Sequence, residues 1–459
     1  MREEVCLNQY AMSQEEFLYT SSQFEELCET ALKTARERGA TSAEIDVNEG
    51  LGRTVSVRKG DIETLEYNRD TGLGVTVYIG QQKGHASTSD LTVGAIKSTV
   101  EAAVSIAKLT ASDSFSGLAD RDRLAKDFKD LDLFHPWDIS TDDSIELAKE
   151  CEQAAFDVSP DISNSEGASV SMQQGHFMYA NTNGFMQGYP SSRHYLSCSV
   201  TAGAGDQMQR DGWWSTARCA NDMDSGKDIG RISGERALKK VGSKKIATRK
   251  VPVIFEAPVA SGIIRHFTSG VSGGNLYRKQ TFLKGEIGET IFPAFMSIEE
   301  DPFISRGLGS SWFDNEGVAT KRRSVVKDGL LEGLFLSTYS ARKLGLETTG
   351  NAGGSHNLFV SSSRGTLSFS DLLRQMGTGL LVTDLLGHGT NMVTGDYSRG
   401  ASGFWVENGE IVHPVQEVTV AGNLREMFLN ISAIGNDHLA RSSLKVGSLL
   451  IDSMTVGGD

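Results

Sequence analysis

Phe24, Leu27, Cys28, Ala31, Leu32 and Ala35 recur three and four residues apart, the spacing that lines one face of a helix with apolar side chains. Ser22 and Glu25 stand ahead of most of that run with the spacing of a capping box. From Glu44 to Ser87 the period changes to two, as in RTVSVRKGDIETLEYN, where Lys59-Gly60-Asp61 predicts a turn between alternating strands, and GLGVTVYIG predicts another strand. Helical spacing returns through Val93, Ile96, Val100, Ala103, Val104 and Ala107. Residues 110–140, rich in Ser and Asp and holding Pro136, predict a connector.

A helix is expected from about Asp142 to Phe156, followed by short strands broken at Asn183-Gly184 and by a helix near 227–241. Beyond these, VPVIFEA predicts a buried strand and 257–269 a helix. Turn signals then recur at Asp314-Asn315-Glu316-Gly317, Lys327-Asp328-Gly329, Asn408-Gly409 and Gly457-Gly458. The expected fold is α+β: an N-terminal α/β layer, a middle α+β segment, and a C-terminal, mostly antiparallel β domain with a few helices. The corresponding boundaries are a polar extension over 1–20, an N-terminal domain over 21–115, a central domain over 116–245 and a C-terminal domain over 246–459. Three segments also suit 459 residues, given roughly 100–200 residues per domain.

A formal net charge of −14 argues against a general grip on phosphate backbones, so no nucleic-acid partner is expected. The densest basic stretches, Lys239 to Lys250 and Lys321 to Arg323, are expected to be a solvated helix end and a hairpin. Five widely spaced cysteines without a Cys-x-x-Cys pair fit a reducing compartment. The acidic N-terminus does not resemble a signal peptide, and no apolar run reaches the roughly 18 residues of a membrane span. A cytoplasmic protein with no membrane partner is the expectation.

The chemistry centres on SGIIRHFTSGVSGGNLYR, residues 261–278. A zinc-peptidase helix needs two imidazoles one turn apart and a carboxylate to take the proton from metal-bound water. Here Arg265 supplies a fixed cation, His266 a single imidazole, and Gly270 no ligand atom. None of the nine histidines pairs with another at a three- to five-residue spacing, so no metal ligand is assigned and no cofactor is expected in this chain. Gly270-Val271-Ser272-Gly273-Gly274 matches a nucleophile elbow, but a helix rather than a strand is expected before it. Two glycine-rich polar stretches, 339–357 and 394–411, also stand out; Asp396, Tyr397 and Arg399 in the second suit a peptide groove or a subunit contact.

The runs GGNLYRKQTFL, YSARKLG, TGNAGG and TGDYSRGASGFWVENGEI, in this order and spacing, resemble the TldD/PmbA family, specifically its PmbA (TldE) branch, from about residue 25 to the C-terminus. The resemblance implies a subunit of a cytoplasmic two-subunit metallopeptidase that acts on small or unfolded peptides. In the TldD-type partner a helix bearing His-Glu-x-x-x-His, with a cysteine from the C-terminal part, binds zinc. Those three helix positions fall on Arg265, His266 and Gly270, and no cysteine follows Cys219. The expectation is therefore a chain without the zinc site, paired with a zinc-bearing TldD-type subunit or forming a homodimer. Arg265, His266, Tyr277, Arg278, Asp396, Tyr397 and Arg399 are the candidates for the substrate channel or the subunit contact. The alternatives are an autonomous metallopeptidase, or a non-enzymatic module regulating another protein such as DNA gyrase or an antitoxin.

Overall fold

The structure, a computed structural model, describes residues 17–458; most of the expected polar extension, with Cys6, lies outside the described residues. The first helix, α1 (Ser21–Glu37), begins one turn earlier than its apolar pattern suggests. Thr20, not Ser22, is the N-cap, and Thr20 and Gln23 form the reciprocal capping box. Tyr19 stacks on Phe24 across this cap at 5.8 Å, a hydrophobic staple that fixes where the helix starts.

Strands β1 (Ser42–Arg58), β2 (Asp61–Ile79) and β3 (Gln82–Thr88) precede α2 (Val93–Leu109). After the 110–140 connector come α3 (Thr141–Phe156), β4 (Ile162–Asn181), β5 (Met186–Ala202), β6 (Gln209–Ala217) and α4 (Gly226–Lys239). The six strands form one antiparallel sheet in the order β3-β2-β1-β4-β5-β6. The first two segments of the chain therefore share a sheet, joined by the long β1–β4 ladder from Glu44↔Asn181 to Val57↔Ala168.

Strand β1 explains how one sheet carries two helical layers. Every odd-numbered residue from Ala43 to Val57 is buried, so all of them face the same side. Ile45 and Val47 pack with α1 and α2, whereas Val55 and Val57 pack with α3 and α4. Between them the odd face carries the buried charges of Glu49 and Arg53 on either side of Leu51. Glu49 accepts from the Leu18 and Tyr19 amides and pairs with Arg69, while Arg53 donates to Ile139 O at the entry to α3. The seam between the helical layers thus holds two hydrogen-bonded charges around one apolar side chain.

The C-terminal part contains α5 (Ala257–Gly270), α6 (Gly273–Tyr277), α7 (Thr338–Leu344), α8 (Phe369–Met376) and α9 (Leu424–Leu429). Its larger sheet holds β7 (Arg249–Phe255), β12 (Gly379–Leu386), β13 (Asp396–Glu407), β14 (Glu410–Asn423), β15 (Ile431–Ile434) and β17 (Leu449–Gly457). The order is β14-β13-β12-β7-β17-β15, and β14 also pairs with β17, so five of these strands close on themselves. The smaller sheet, ordered β10-β9-β8-β11-β16, consists of β8 (Met296–Asp301), β9 (Arg323–Lys327), β10 (Leu330–Leu331), β11 (Asn357–Ser362) and β16 (Leu444–Lys445). Only β7–β12 and β11–β16 are parallel among these pairings. Among the described residues the architecture is α+β, as expected, and no helix is long and apolar enough to cross a membrane.

Helix α5 lies at the centre of this part. Ala260, Ile263, Ile264 and Phe267 are fully buried in a core shared with Val382, Tyr397 and Val420 of the closed sheet and with Ile298, Val325 and Val326 of the smaller one. Each large apolar side chain so placed contributes about 2 kcal/mol.

Three two-residue hairpins close where glycine permits the necessary backbone. Lys59-Gly60, Asp328-Gly329 and Asn408-Gly409 all have positive φ at both positions, as a type I′ turn demands. The first hairpin is also clamped from outside its own segment. The buried Glu152 of α3 accepts from the Lys59 and Gly60 amides, each at 2.8 Å. A charge-assisted pair of this kind contributes about 2 kcal/mol. Glu152→Ala should therefore lower unfolding stability by about 2 kcal/mol in urea titrations, and a change indistinguishable from zero would contradict the clamp.

Candidate functional site

The site is built on α5 and the β13–β14 hairpin. Pro258 at the start of α5 tolerates the missing amide there, and the apolar residues already named fix the helix's rotation. Arg265 and His266 are then left on its remaining faces, whereas Gly270 is buried on the apolar side with Ile263 and Phe267. Tyr397 and Arg399, two apart on β13, share one strand face.

His266 meets Tyr397 edge-on, with ring centroids 5.9 Å apart. Burial lowers the imidazole pKa below the ordinary histidine range, and the Arg399 guanidinium lowers it further. The side chain is therefore a neutral imidazole at neutral pH. Burial likewise pushes the Tyr397 phenol up to about 12, partly offset by Arg399. Tyr397 Oη and Arg399 Nε are both buried without a hydrogen-bond partner among the described residues, although Arg399 Nη2 reaches Leu385 O at 3.4 Å. Two unsatisfied polar atoms beside an imidazole are costly unless something else meets them.

Arg265 is exposed and forms no ion pair among the described residues. At position 270 a Cβ would come 2.8 Å from Leu283 Cδ1 and 3.3 Å from Thr281 Oγ1, and Leu283 is itself 1% exposed. A larger side chain at that position has to displace core packing. Among the described residues no three His, Cys, Asp or Glu side chains gather where they could hold a metal ion.

The remaining candidates form two separate groups. Tyr277, at the end of α6, accepts from Arg278 Nη1 at 3.0 Å and meets Tyr339 of α7 edge-on at 5.7 Å. Tyr339 donates to Asp113 at 2.7 Å, and Lys343 pairs with the same carboxylate at 3.4 Å. This second group therefore bridges the C-terminal part and the connector. Asp396 begins β13 and is engaged locally, accepting from Thr394 Oγ1 at 2.7 Å. Ser272 follows a helix and donates to Ser269 O at 2.8 Å, which is not the strand-to-helix geometry of a nucleophile elbow.

The sequence reading missed a buried ionic network behind the 339–357 stretch. Glu300 is 1% exposed, pairs with Arg323 at 2.7 Å and His356 Nδ1 at 3.0 Å, and accepts from Asn351 at 2.8 Å. Burial alone would raise the carboxyl pKa, but the bond from His356 and the charge of Arg323 bring it down to about 2. Arg323 had been expected on a solvated hairpin, as Lys240 had on a solvated helix end. Both are instead withdrawn into ion pairs, Arg323 with Glu300 and Lys240 with Asp211 at 2.8 Å. A run of basic residues signals charge but not which member turns inward.

The neutral state of His266 yields a direct test. Its imidazole resonances should titrate with a midpoint below about 6.5, and Arg399→Met should raise the midpoint by removing the adjacent positive charge. A midpoint at or above the ordinary histidine value in the unmodified chain would contradict this environment.

Comparison with known proteins places these features in a family. The chain matches the PmbA/TldA metallopeptidase family in three stretches: domain 1 over residues 43–107, the central domain over 134–241 and the C-terminal domain over 248–458. It is 47% identical to the metalloprotease PmbA homolog of Haemophilus influenzae over 94% of this chain and 95% of the relative. It is 45% identical to metalloprotease PmbA of Escherichia coli O157:H7 over 95% of this chain and 96% of the relative. A crystal structure from Bacteroides thetaiotaomicron, named for a modulator of DNA gyrase, superposes with a TM-score of 0.90 at 29% identity, covering 96% of this chain and all of that one. Together with the α5 helix and its glycine-rich hairpin, these matches show that the chain belongs to the PmbA/TldD family of metallopeptidase-related proteins.

Proposed function

We propose that this chain is the companion subunit of a cytoplasmic TldD-type zinc peptidase acting on small or unfolded peptides, and that it does not itself hold the metal. The observation supporting this is the outer face of α5, whose residues do not fit a divalent ion. His266 is the one imidazole on that face, Arg265 and Arg399 bring positive charge, and Leu283 and Thr281 close around Gly270 where a second imidazole would have to stand. No hydrolytic step is assigned to these residues.

Their chemistry suits binding instead. The half-buried Arg399, whose Nε has no hydrogen-bond partner among the described residues, offers a donor to a peptide carbonyl. Arg265, Tyr277 and Arg278 are the further residues assigned to the channel wall or the subunit contact. Zinc and the water it activates belong, in this reading, to the partner.

A second reading, that the chain is a metallopeptidase by itself, is favoured by the names its relatives carry. A third, a regulator of another protein such as DNA gyrase or an antitoxin, takes its support from the name of the Bacteroides structure. Reconstitution separates them. Co-expression with the zinc-bearing subunit should yield cleavage of an unfolded peptide that falls by about tenfold or more when this chain is omitted. Undiminished cleavage without it, or chelator-sensitive cleavage by this chain alone, would contradict the proposal.

A further inference from the structure

A cavity of about 370 Å³ opens between the end of β6, the 304–308 loop and the 438–445 segment, within the size range of small-ligand sites. Its wall carries four cationic side chains, Arg218, Arg306, Arg441 and Lys445, against two carboxylates, Asp222 and Asp224. That excess stands out in a chain whose net charge is −14.

Two of the four, Arg218 and Lys445, are held by backbone carbonyls rather than by carboxylates. Arg218 donates only to backbone carbonyls, those of Gly307, Ser192 and Leu308 at 3.1–3.2 Å. Lys445 likewise reaches Leu439 O and Ala440 O. Neither has a carboxylate partner among the described residues. Arg306 is tied to Asp132 and Asp222, each at 3.0 Å.

Arg441 is the most constrained. Its side chain is 8% exposed, and its guanidinium lies 4.0 Å from the Trp213 ring centroid and 4.3 Å from that of Trp214. Asp224 is 3.4 Å from Nη1, yet Nε and Nη2 have no hydrogen-bond partner among the described residues. Burial lowers the pKa of Arg218 and Lys445 and brings Arg441 down to about 10. Buried cations without full compensation are destabilising until an anion meets them, so this wall is arranged for one.

We infer that the cavity is a carboxylate-binding site that receives the free C-terminus of a peptide, with Arg441, Arg218 and Lys445 facing the anion and Arg306 at the rim. The planar guanidinium of Arg441 matches a carboxylate's two oxygens. Asp222 and Asp224 on the same wall favour a single negative charge over a doubly charged phosphate. Half-buried Ile304, Leu308, Phe359 and Leu439 border the cavity and suit the apolar side chain of a terminal residue. The site goes beyond the companion-subunit reading and needs no peptidase partner, since every residue comes from this chain.

The test uses the full chain and N-acetyl-alanyl-leucine as the free acid, with its C-terminal amide and inorganic phosphate as the other arms. Binding is followed by calorimetry and by tryptophan fluorescence, because Trp213 and Trp214 flank Arg441. Saturable binding of the acid is expected, weakened about tenfold or more by amidation or by Arg441→Gln. Should Arg441→Gln fail to fold, Arg306→Gln, at an exposed position, is expected to weaken the acid measurably. The assignment is overturned by no saturable signal up to about 10 mM acid, by equal binding of acid and amide, by unchanged affinity in Arg306→Gln, or by phosphate binding more tightly than the acid.

Discussion

The burial of α5 constrains everything around it. Ala260, Ile263, Ile264 and Phe267 are enclosed between the closed sheet and the smaller sheet, so the helix can neither rotate nor slide without opening a core whose large side chains contribute about 2 kcal/mol each. That rigidity decides which residues reach β13 and which reach solvent. His266 is placed against Tyr397, Gly270 is pressed towards Leu283, and Arg265 is left outside. The chemistry of the site is a consequence of packing chosen on the opposite face of the same helix.

Electrostatics then determines what that face can do. A dication roughly 6 Å from one fixed guanidinium, at an effective dielectric near 20, is opposed by about 5 kcal/mol. A single neutral imidazole offers little to outweigh that. The same positive charge is favourable towards carbonyl oxygens and carboxylates, and the protein repeats the device in the cavity beneath Trp213 and Trp214. Both places hold arginine nitrogens without a hydrogen-bond partner among the described residues, in a molecule whose overall charge is strongly negative.

Much of the fold was legible because local rules and tertiary structure agree. The helices at 21–37, 93–109 and 257–270 follow their apolar spacing, and Lys59-Gly60 and Asn408-Gly409 announce their turns by residue types that tolerate positive φ. What the sequence hides is long-range. The β1–β4 ladder joins residues more than a hundred positions apart, and the β14–β17 contact that closes the sheet leaves no local trace. Residues 110–140 look like a polar connector, yet Leu124, Leu131 and Leu133 pack with Trp312 and Phe313. At the site, Tyr397 and Arg399 were visible from their glycine-rich hairpin. Glu300, Arg323 and His356 were not, because each is unremarkable alone and only the folded chain brings them together. The cationic cavity escapes for the same reason, being assembled from three distant segments.

The central claim is that the outer face of α5 cannot retain a divalent ion. It is tested most directly by the metal content of the purified chain, expressed without a partner in zinc-supplemented medium and measured by mass spectrometry. The account predicts zinc far below one ion per chain, with the residue unaffected by His266→Ala. One tightly held zinc per chain, lost on that substitution, would contradict it.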